Sequence, residues 1–309
     1  MINNISNNDD LKYFFTKFNH LIEPLKFVSF DLDGTLIGDG LDLPDNTLRH
    51  LSRRRKTILC TGAGLSSAIN KIALNNHTKK TNLSSYFSHS IIVNEGSQIF
   101  SSKNTLNTQP IYQKTLTSKE IKKICSLIRS LQQSDYDFLS FYPPIINSQH
   151  RHYVVFTHKP KTKYTLAKKY DKITFKKNTK EFIGDLKELK ATKFAIGNFI
   201  HKPTNNIYSH LNYVINEGCC NITSAGVNKL SGVTKSLSLL GDTQNRDTLI
   251  HFGNDANDLA LLEYCRISII VNTSQQQTNQ LLDRINTSSK SHFLVITPNL
   301  VAETITRLC

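Results

Sequence analysis

The chain has 309 residues, with 38 Lys and Arg against 24 Asp and Glu for a formal net charge of +14; 39% of residues are hydrophobic, 20% are charged, and there are 16 Phe and 11 Tyr. This composition suits one large or two modest domains with enough apolar surface to offset chain entropy, which excludes wholesale disorder. No run reaches the roughly 20 apolar residues that cross a bilayer, and residues 1–24 lack the apolar stretch of a secretory signal, so a soluble cytoplasmic protein is expected. In chain order, Leu11 to Leu21 with Tyr13, Phe14, Phe15 and Phe18 is amphipathic enough to touch a membrane surface, but a short helix packed on the core or a disordered tail is the preferred reading. Phe27 to Phe30 predicts a buried strand that empties into the polar string Asp31-Leu32-Asp33-Gly34-Thr35. Leu48 and Leu51 lie at helical spacing after Pro44-Asp45, and the basic run Arg53 to Lys56 suits a helix C-terminus. A second strand, Thr57 to Cys60, leads into Thr61-Gly62-Ala63-Gly64, and a further helix runs from Ser66 to Asn75. Ile91 to Val93, Ile250 to Phe252, and Ile267 to Val271 read as three more strands.

Strand and helix in alternation predict an α/β fold with a parallel sheet. From about Ser101 to Asn216 the texture changes to Lys-rich helical stretches such as Ser118 to Gln132, and to isolated β-like runs such as Tyr153 to Phe156 and Phe194 to Ile196. An inserted α+β domain is the expectation, dividing the chain into an extension (1–24), a first core segment (25–99), the insertion (100–216) and a second core segment (217–309). Six cysteines, at 60, 125, 219, 220, 265 and 309, form no C-x-x-C pair, which fits a reducing compartment. The charge raises nucleic acid or an anionic surface as partners. The basic residues are scattered, however, and a solvated face is the preferred reading over a polyanion partner. His150-Arg151-His152 invites a metal or phosphate clamp, but no third ligand is nearby in sequence, and a surface strand is preferred.

Asp31 and Asp33, two residues apart after a buried strand, stand where open parallel sheets bind ligands. One such carboxylate can attack phosphorus while the other passes a proton to the leaving oxygen. The string Phe30-Asp31-Leu32-Asp33-Gly34-Thr35-Leu36 resembles the haloacid dehalogenase superfamily. Leu59-Cys60-Thr61-Gly62, Gly226-Val227-Asn228-Lys229, and Phe252-Gly253-Asn254-Asp255-Ala256-Asn257-Asp258 follow in that superfamily's order. The segment from Asn257 to Tyr264 is similar to the Cof-type phosphatase branch, subclass IIB, in which an α+β cap is inserted between the second and third motifs.

The resemblance implies a three-layer Rossmann-like core with an inserted cap that closes over the crevice. It also implies a Mg²⁺-dependent phosphatase acting on a small phosphate monoester, such as a sugar phosphate, phosphorylated cofactor or nucleotide, through an aspartyl-phosphate. By the same resemblance Asp31 is the nucleophile and Asp33 the general acid and base. Thr61, Gly62 and Lys229 hold the phosphate, with Lys235 a competitor for the lysine's task. Asp31, Asp33, Asn254, Asp255 and Asp258 are the metal candidates. Three departures stand out: Asn254 where Gly-Asp is usual, Ala63 where Arg usually follows Thr-Gly, and Val93-Asn94-Glu95-Gly96-Ser97 where Asn-Gly-Ala is common. Either Asn254 ligates while Asp255 or Asp258 supplies charge, or metal affinity is weakened. The rival readings are a phosphotransferase or sugar phosphomutase using the same acids, and a catalytically weakened, basic binding protein.

Overall fold

A computed structural model describes residues 1–38, 41–75, 83–103, 109–145, 153–169, 173–199, 211–216, 218–243, 245–285 and 291–309. The chain divides into two compact units: Met1–Thr105 with Lys229–Cys309, and Leu106–Asn228. The sequence texture sets these boundaries at 99/100 and 216/217.

In the first unit the strands are β1 (Ile2–Ile5), β2 (Phe27–Phe30), β3 (Lys56–Cys60), β4 (Ser90–Val93) and β5 (Gln98–Ser101). In the second unit they are β6 (Tyr112–Gln113), β7 (Phe138–Tyr142), β8 (Tyr153–Phe156), β9 (Ile173–Phe175), β10 (Lys193–Gly197), β11 (Leu211–Asn216) and β12 (Cys219–Ser224). The first unit resumes with β13 (Leu249–Gly253), β14 (Ile267–Val271) and β15 (His292–Ile296). The first unit's strands run in the order β1-β15-β14-β13-β2-β3-β4-β5. Every pairing is parallel except β4 with β5. Strands β2, β4, β13 and β14 are buried along their whole length, as a parallel sheet covered on both faces requires. One helical layer gathers Asn8–Lys17, Asp45–Arg54 and Val301–Arg307; the other includes Lys229–Leu239 and Leu259–Tyr264.

The first residues do more than pack against this core. Ile2 to Ile5 pair with Phe293 to Ile296 as an edge strand. The helix that follows is capped by the Asn7 side chain, which accepts from the amides of Asp9 and Asp10, and buries Leu11, Phe14 and Phe15. Alternation in Ile2-Asn3-Asn4-Ile5 is too short to read as a strand, and the pairing decides it.

The second unit is a six-stranded sheet in the order β11-β12-β10-β7-β8-β9, antiparallel except for β8 with β9. Helices Ser118–Ser130 and Thr179–Leu189 cover one face through a core that includes Phe141, Phe182 and Phe194. A capping box between Thr117 and Glu120 starts the first of these helices. Because β12 pairs with β10 and β11, residues 219–224 belong to this sheet. His150-Arg151-His152 lies outside the described residues.

Candidate active site

Strands β13, β2 and β3 are parallel neighbours, so their carboxyl ends share one edge of the sheet. Asp31 follows β2, Thr61 and Gly62 follow β3, and Asn254 follows β13. An apolar strand that ends at the sheet edge hands its first polar residue to the crevice there.

The centre of the site is a buried ion cluster. Lys229, the first residue of the Lys229–Leu239 helix, is 0% exposed, and its Nζ lies 2.7 Å from Asp31 Oδ1 and 2.7 Å from Asp258 Oδ1. Burial alone would strip the lysine proton; the two carboxylates outweigh it and hold the ammonium well above the ordinary lysine range. Burial would also raise the Asp258 carboxyl. Lys229 and the His251 hydrogen bond overcome that and keep it below the usual carboxylate range. One ammonium cannot compensate two carboxylates, and the deficit falls on Asp31. Burial, with the Asp258 charge added, pushes its carboxyl well above the ordinary range despite Lys229. Lys235 is exposed on the same helix, so burial and contact single out Lys229.

Asp258 receives four donors. Oδ1 takes Lys229 Nζ and, at 2.9 Å, His251 Nε2; Oδ2 takes the backbone amides of Asn254 at 3.1 Å and Asp255 at 3.3 Å. These bonds fold the segment from Asn254 to Asp258 around its carboxylate. His251 is fully buried, and burial holds its imidazole below the ordinary histidine range despite Asp258. The neutral ring donates from Nε2 to Asp258 and accepts at Nδ1 from Ser29 Oγ, 2.7 Å away on β2. Ser29 and His251 are register partners across β2 and β13. A continuous polar chain therefore runs Ser29, His251, Asp258, Lys229, Asp31 through the sheet's interior.

Asn254 Oδ1 accepts from the Thr35 hydroxyl at 3.1 Å, and its Nδ2 would lie 2.2 Å from a Cβ placed on Gly34. Gly34 has φ +71°, so both conformation and space there call for glycine. Asp33 stands apart from the cluster. Its side chain is 51% exposed and lies 2.6 Å from Lys71 Nζ. Thr61 is buried, its hydroxyl accepting from the Ala63 amide at 3.1 Å. Asp255 Oδ1 accepts from the Ala256 amide at 2.6 Å.

The structure thus joins Asp31, Lys229 and Asp258 directly, sets Thr61, Gly62 and Asn254 on the same sheet edge, and pairs Asp33 elsewhere. Among the described residues, no three His, Cys, Asp or Glu form a group that could hold a metal ion. Asp31 and Asn254 follow neighbouring strands and offer oxygens, one a carboxylate and one an amide, and the cluster's surplus negative charge is what a hard divalent cation would compensate. On both counts Mg²⁺ fits the residues present. Sequence reading passed over Ser29, His251 and Lys71. The signal for the first two was a polar residue inside each of two otherwise apolar strands.

A family model of haloacid dehalogenase-like hydrolases matches residues 28–293. The chain belongs to the haloacid dehalogenase-like hydrolases. No curated protein matches it in sequence. Solved structures share the fold of this hydrolase at low identity. A haloacid dehalogenase-like hydrolase from B. subtilis is 14% identical with a TM-score of 0.67, covering 92% of this chain and 100% of its own. A haloacid dehalogenase superfamily phosphatase from Bacteroides thetaiotaomicron is 13% identical with a TM-score of 0.64, covering 91% and 92%. A subclass IIB sugar phosphatase is 12% identical with a TM-score of 0.65, covering 90% and 96%. No helix among the hydrolase's described residues is long and apolar enough to cross a membrane.

Proposed function

We propose that this hydrolase cleaves a small phosphate monoester in a reducing, cytoplasmic setting, with Mg²⁺ as cofactor and an aspartyl-phosphate as intermediate. The observation that carries the reading is the Lys229 ammonium, buried between Asp31 and Asp258, with the residue's carbonyl against the thiol of Cys60, which precedes Thr61 and Gly62. It supports the reading because such a pair offers a carboxylate that could attack beside a fixed cation that would gather phosphoryl charge.

In this reaction an Asp31 oxygen attacks phosphorus in line while the bond to the leaving oxygen breaks, and Asp33 gives that oxygen its proton. A water then loses a proton to Asp33 and attacks the phosphorus of the aspartyl-phosphate, which restores Asp31 and frees phosphate. Thr61, the Gly62 amide and Lys229 hold the equatorial oxygens. Asp33 must exchange its Lys71 partner for the leaving oxygen, and its exposure leaves it free to turn. Mg²⁺, when bound, neutralises the phosphoryl oxygens and keeps Asp31 ionised. Asp31 and Asn254 would hold it, with Asp255 at the rim. Asp258, whose oxygens already take four donors, orients the segment.

The test is phosphate release from p-nitrophenyl phosphate and a panel of phosphorylated metabolites in Mg²⁺. We expect turnover that Asp31→Asn abolishes without changing the thermal midpoint by more than about 2 °C. A folded wild type that releases phosphate from nothing in the panel refutes the reading. Phosphate appearing on an added sugar instead of in solution turns it toward phosphotransfer.

A further inference from the structure

The reaction proposed above has no use for Glu95, yet the structure meets two costs to place it. Its side chain is buried, only 4% exposed, on the turn after β4. Its backbone is left-handed at φ 59°, directly after Asn94 at φ 52°. A buried carboxylate wants a cation, and a glutamate disfavours positive φ. Both costs at one residue beside a reaction centre mark a functional position.

The hydrogen-bond donor given to this carboxylate is neutral: Nδ2 of Asn257 lies 3.3 Å from each oxygen. Lys229 feels the Glu95 charge, but its two ion-pair contacts go to Asp31 and Asp258 and none goes to Glu95. The carboxylate lies against the turn expected to hold phosphate, since a Cβ on Gly62 would come within 2.3 Å of Glu95 Oε1. Any side chain at 62 would displace it. The other end of Asn257 is equally telling: its Oδ1 is buried without a hydrogen-bond partner. Two oxygens of Glu95 and one of Asn257 therefore supply acceptors, one of them unsatisfied, beside the phosphate turn. A phosphate dianion is repelled by that lining, and a cationic donor attached to the same molecule satisfies it.

We propose that Glu95 is a specificity-determining residue: with Asn257 Oδ1 it selects phosphate monoesters that carry an ammonium group within a few bonds of the ester, and turns away those with a second anionic group there. The inference rests on the phosphatase reading and adds the chemical class of its substrate. A hydroxyl could also donate to these oxygens, but only a cation neutralises the buried charge.

Four esters that differ at one group separate the alternatives: 2-aminoethyl phosphate, 2-hydroxyethyl phosphate, ethyl phosphate and phosphoglycolate. Each is measured as a competitive inhibitor of p-nitrophenyl phosphate hydrolysis in Mg²⁺. For the wild type we expect 2-aminoethyl phosphate to bind about tenfold more tightly than ethyl phosphate, and phosphoglycolate about tenfold more weakly. Glu95→Gln, which keeps the shape and removes the charge, should compress that spread to about threefold. Glu95→Gly, which a left-handed backbone accepts without strain, should do the same in a chain at least as stable. A wild type without phosphatase activity refutes the phosphatase reading. An active wild type whose inhibition constants keep the same order and spread in both variants, or favour 2-hydroxyethyl over 2-aminoethyl phosphate, overturns this inference alone.

Discussion

Replacing Lys229 by Met removes the one cation of the buried cluster while filling nearly the same volume, so the change is electrostatic and not a cavity. Two charge-assisted hydrogen bonds of 2.7 Å disappear. Asp258 keeps three of its four donors, His251 and the amides of Asn254 and Asp255. Asp31 loses the ammonium that lowers its carboxyl. Breaking a buried pair costs about 3–5 kcal/mol, and the donors left on Asp258 argue for the lower half of that range at pH 7. The deficit must depend on pH. In the variant both folded carboxyls rise above their unfolded values, so stability is present at low pH and lost as pH rises. The gap to wild type should therefore shrink on acidification by up to about 1.4 kcal/mol per pH unit for each carboxyl. Thermal or urea unfolding in EDTA at pH 5 and pH 7 measures it, and about 5–10 °C of midpoint loss is expected at pH 7. Adding Asp258→Asn to Lys229→Met should recover part of the loss, because the second charge goes with the first. A single variant as stable as wild type at pH 7, or a deficit that grows toward pH 5, would refute the argument that this lysine compensates buried carboxylates.

Asn254→Asp should raise Mg²⁺ affinity by about tenfold, read as the Mg²⁺ concentration that half-saturates a thermal shift, because it adds a charged oxygen where Thr35 already fixes the side chain; an unchanged titration would remove Asn254 from the ligand set. Lys71→Met should leave the midpoint within about 2 °C, since the Asp33 partner is half exposed and such pairs contribute about 0–1 kcal/mol, whereas Asp33→Asn should lower kcat by about 10²–10⁴. Equal losses from the two would show that the pair, and not Asp33 alone, serves the reaction. His251 is buried and neutral with its basicity lowered. The unfolded chain, with histidine near pKa 6.5, then takes up the proton first, and stability present above that pH is lost as pH falls below it. Urea midpoints at pH 7.5 and 5.5 should show the decline, and a His251→Gln chain should show less of it.

Much of the core was legible because its strands are buried on both faces. Apolar runs such as Ile267 to Val271 announce themselves without alternation, and the strand lies there. Asp31, Thr61 and Asn254 were legible for the same reason, each being the first polar residue after such a run. Lys229 over Lys235 was not, because one helix carries both and only packing decides which is buried. The edge strand β1 escaped notice because four residues of Ile and Asn acquire their meaning from Phe293 to Ile296, nearly the whole chain away. Ser29 and His251 escaped for a related reason: alone, each reads as an imperfection in an apolar strand, and only the register across β2 and β13 turns the two into one hydrogen bond. The compact units divide at 228/229 and the texture at 216/217, a difference that comes from the pairing of Cys219 to Ser224 with the second sheet, which the sequence does not announce.

The net charge of +14 is unevenly held. Residues 106–228 carry 19 Lys and Arg against 8 Asp and Glu, and the rest of the chain carries 19 against 16. The unit that contains the site is therefore nearly balanced, and its buried centre has the opposite sign: Asp31 and Asp258 share the Lys229 ammonium, and the buried Glu95 carboxylate adds to the negative charge that the ammonium feels. A basic chain thus has an anionic buried centre, and under the proposed function general attraction for polyanions would not account for phosphate binding there. Amides on the Thr61-Gly62 turn add partial charges only. For a dianion to enter, a further cation must be present, and the oxygens of Asp31 and Asn254 are where a hard one would sit. Inorganic phosphate should accordingly bind in Mg²⁺ and fail to bind in EDTA, a contrast that calorimetry reads without turnover. Equal binding in both would mean that Lys229 and the amides suffice, and that the surplus carboxylate charge in the cluster has some other compensation.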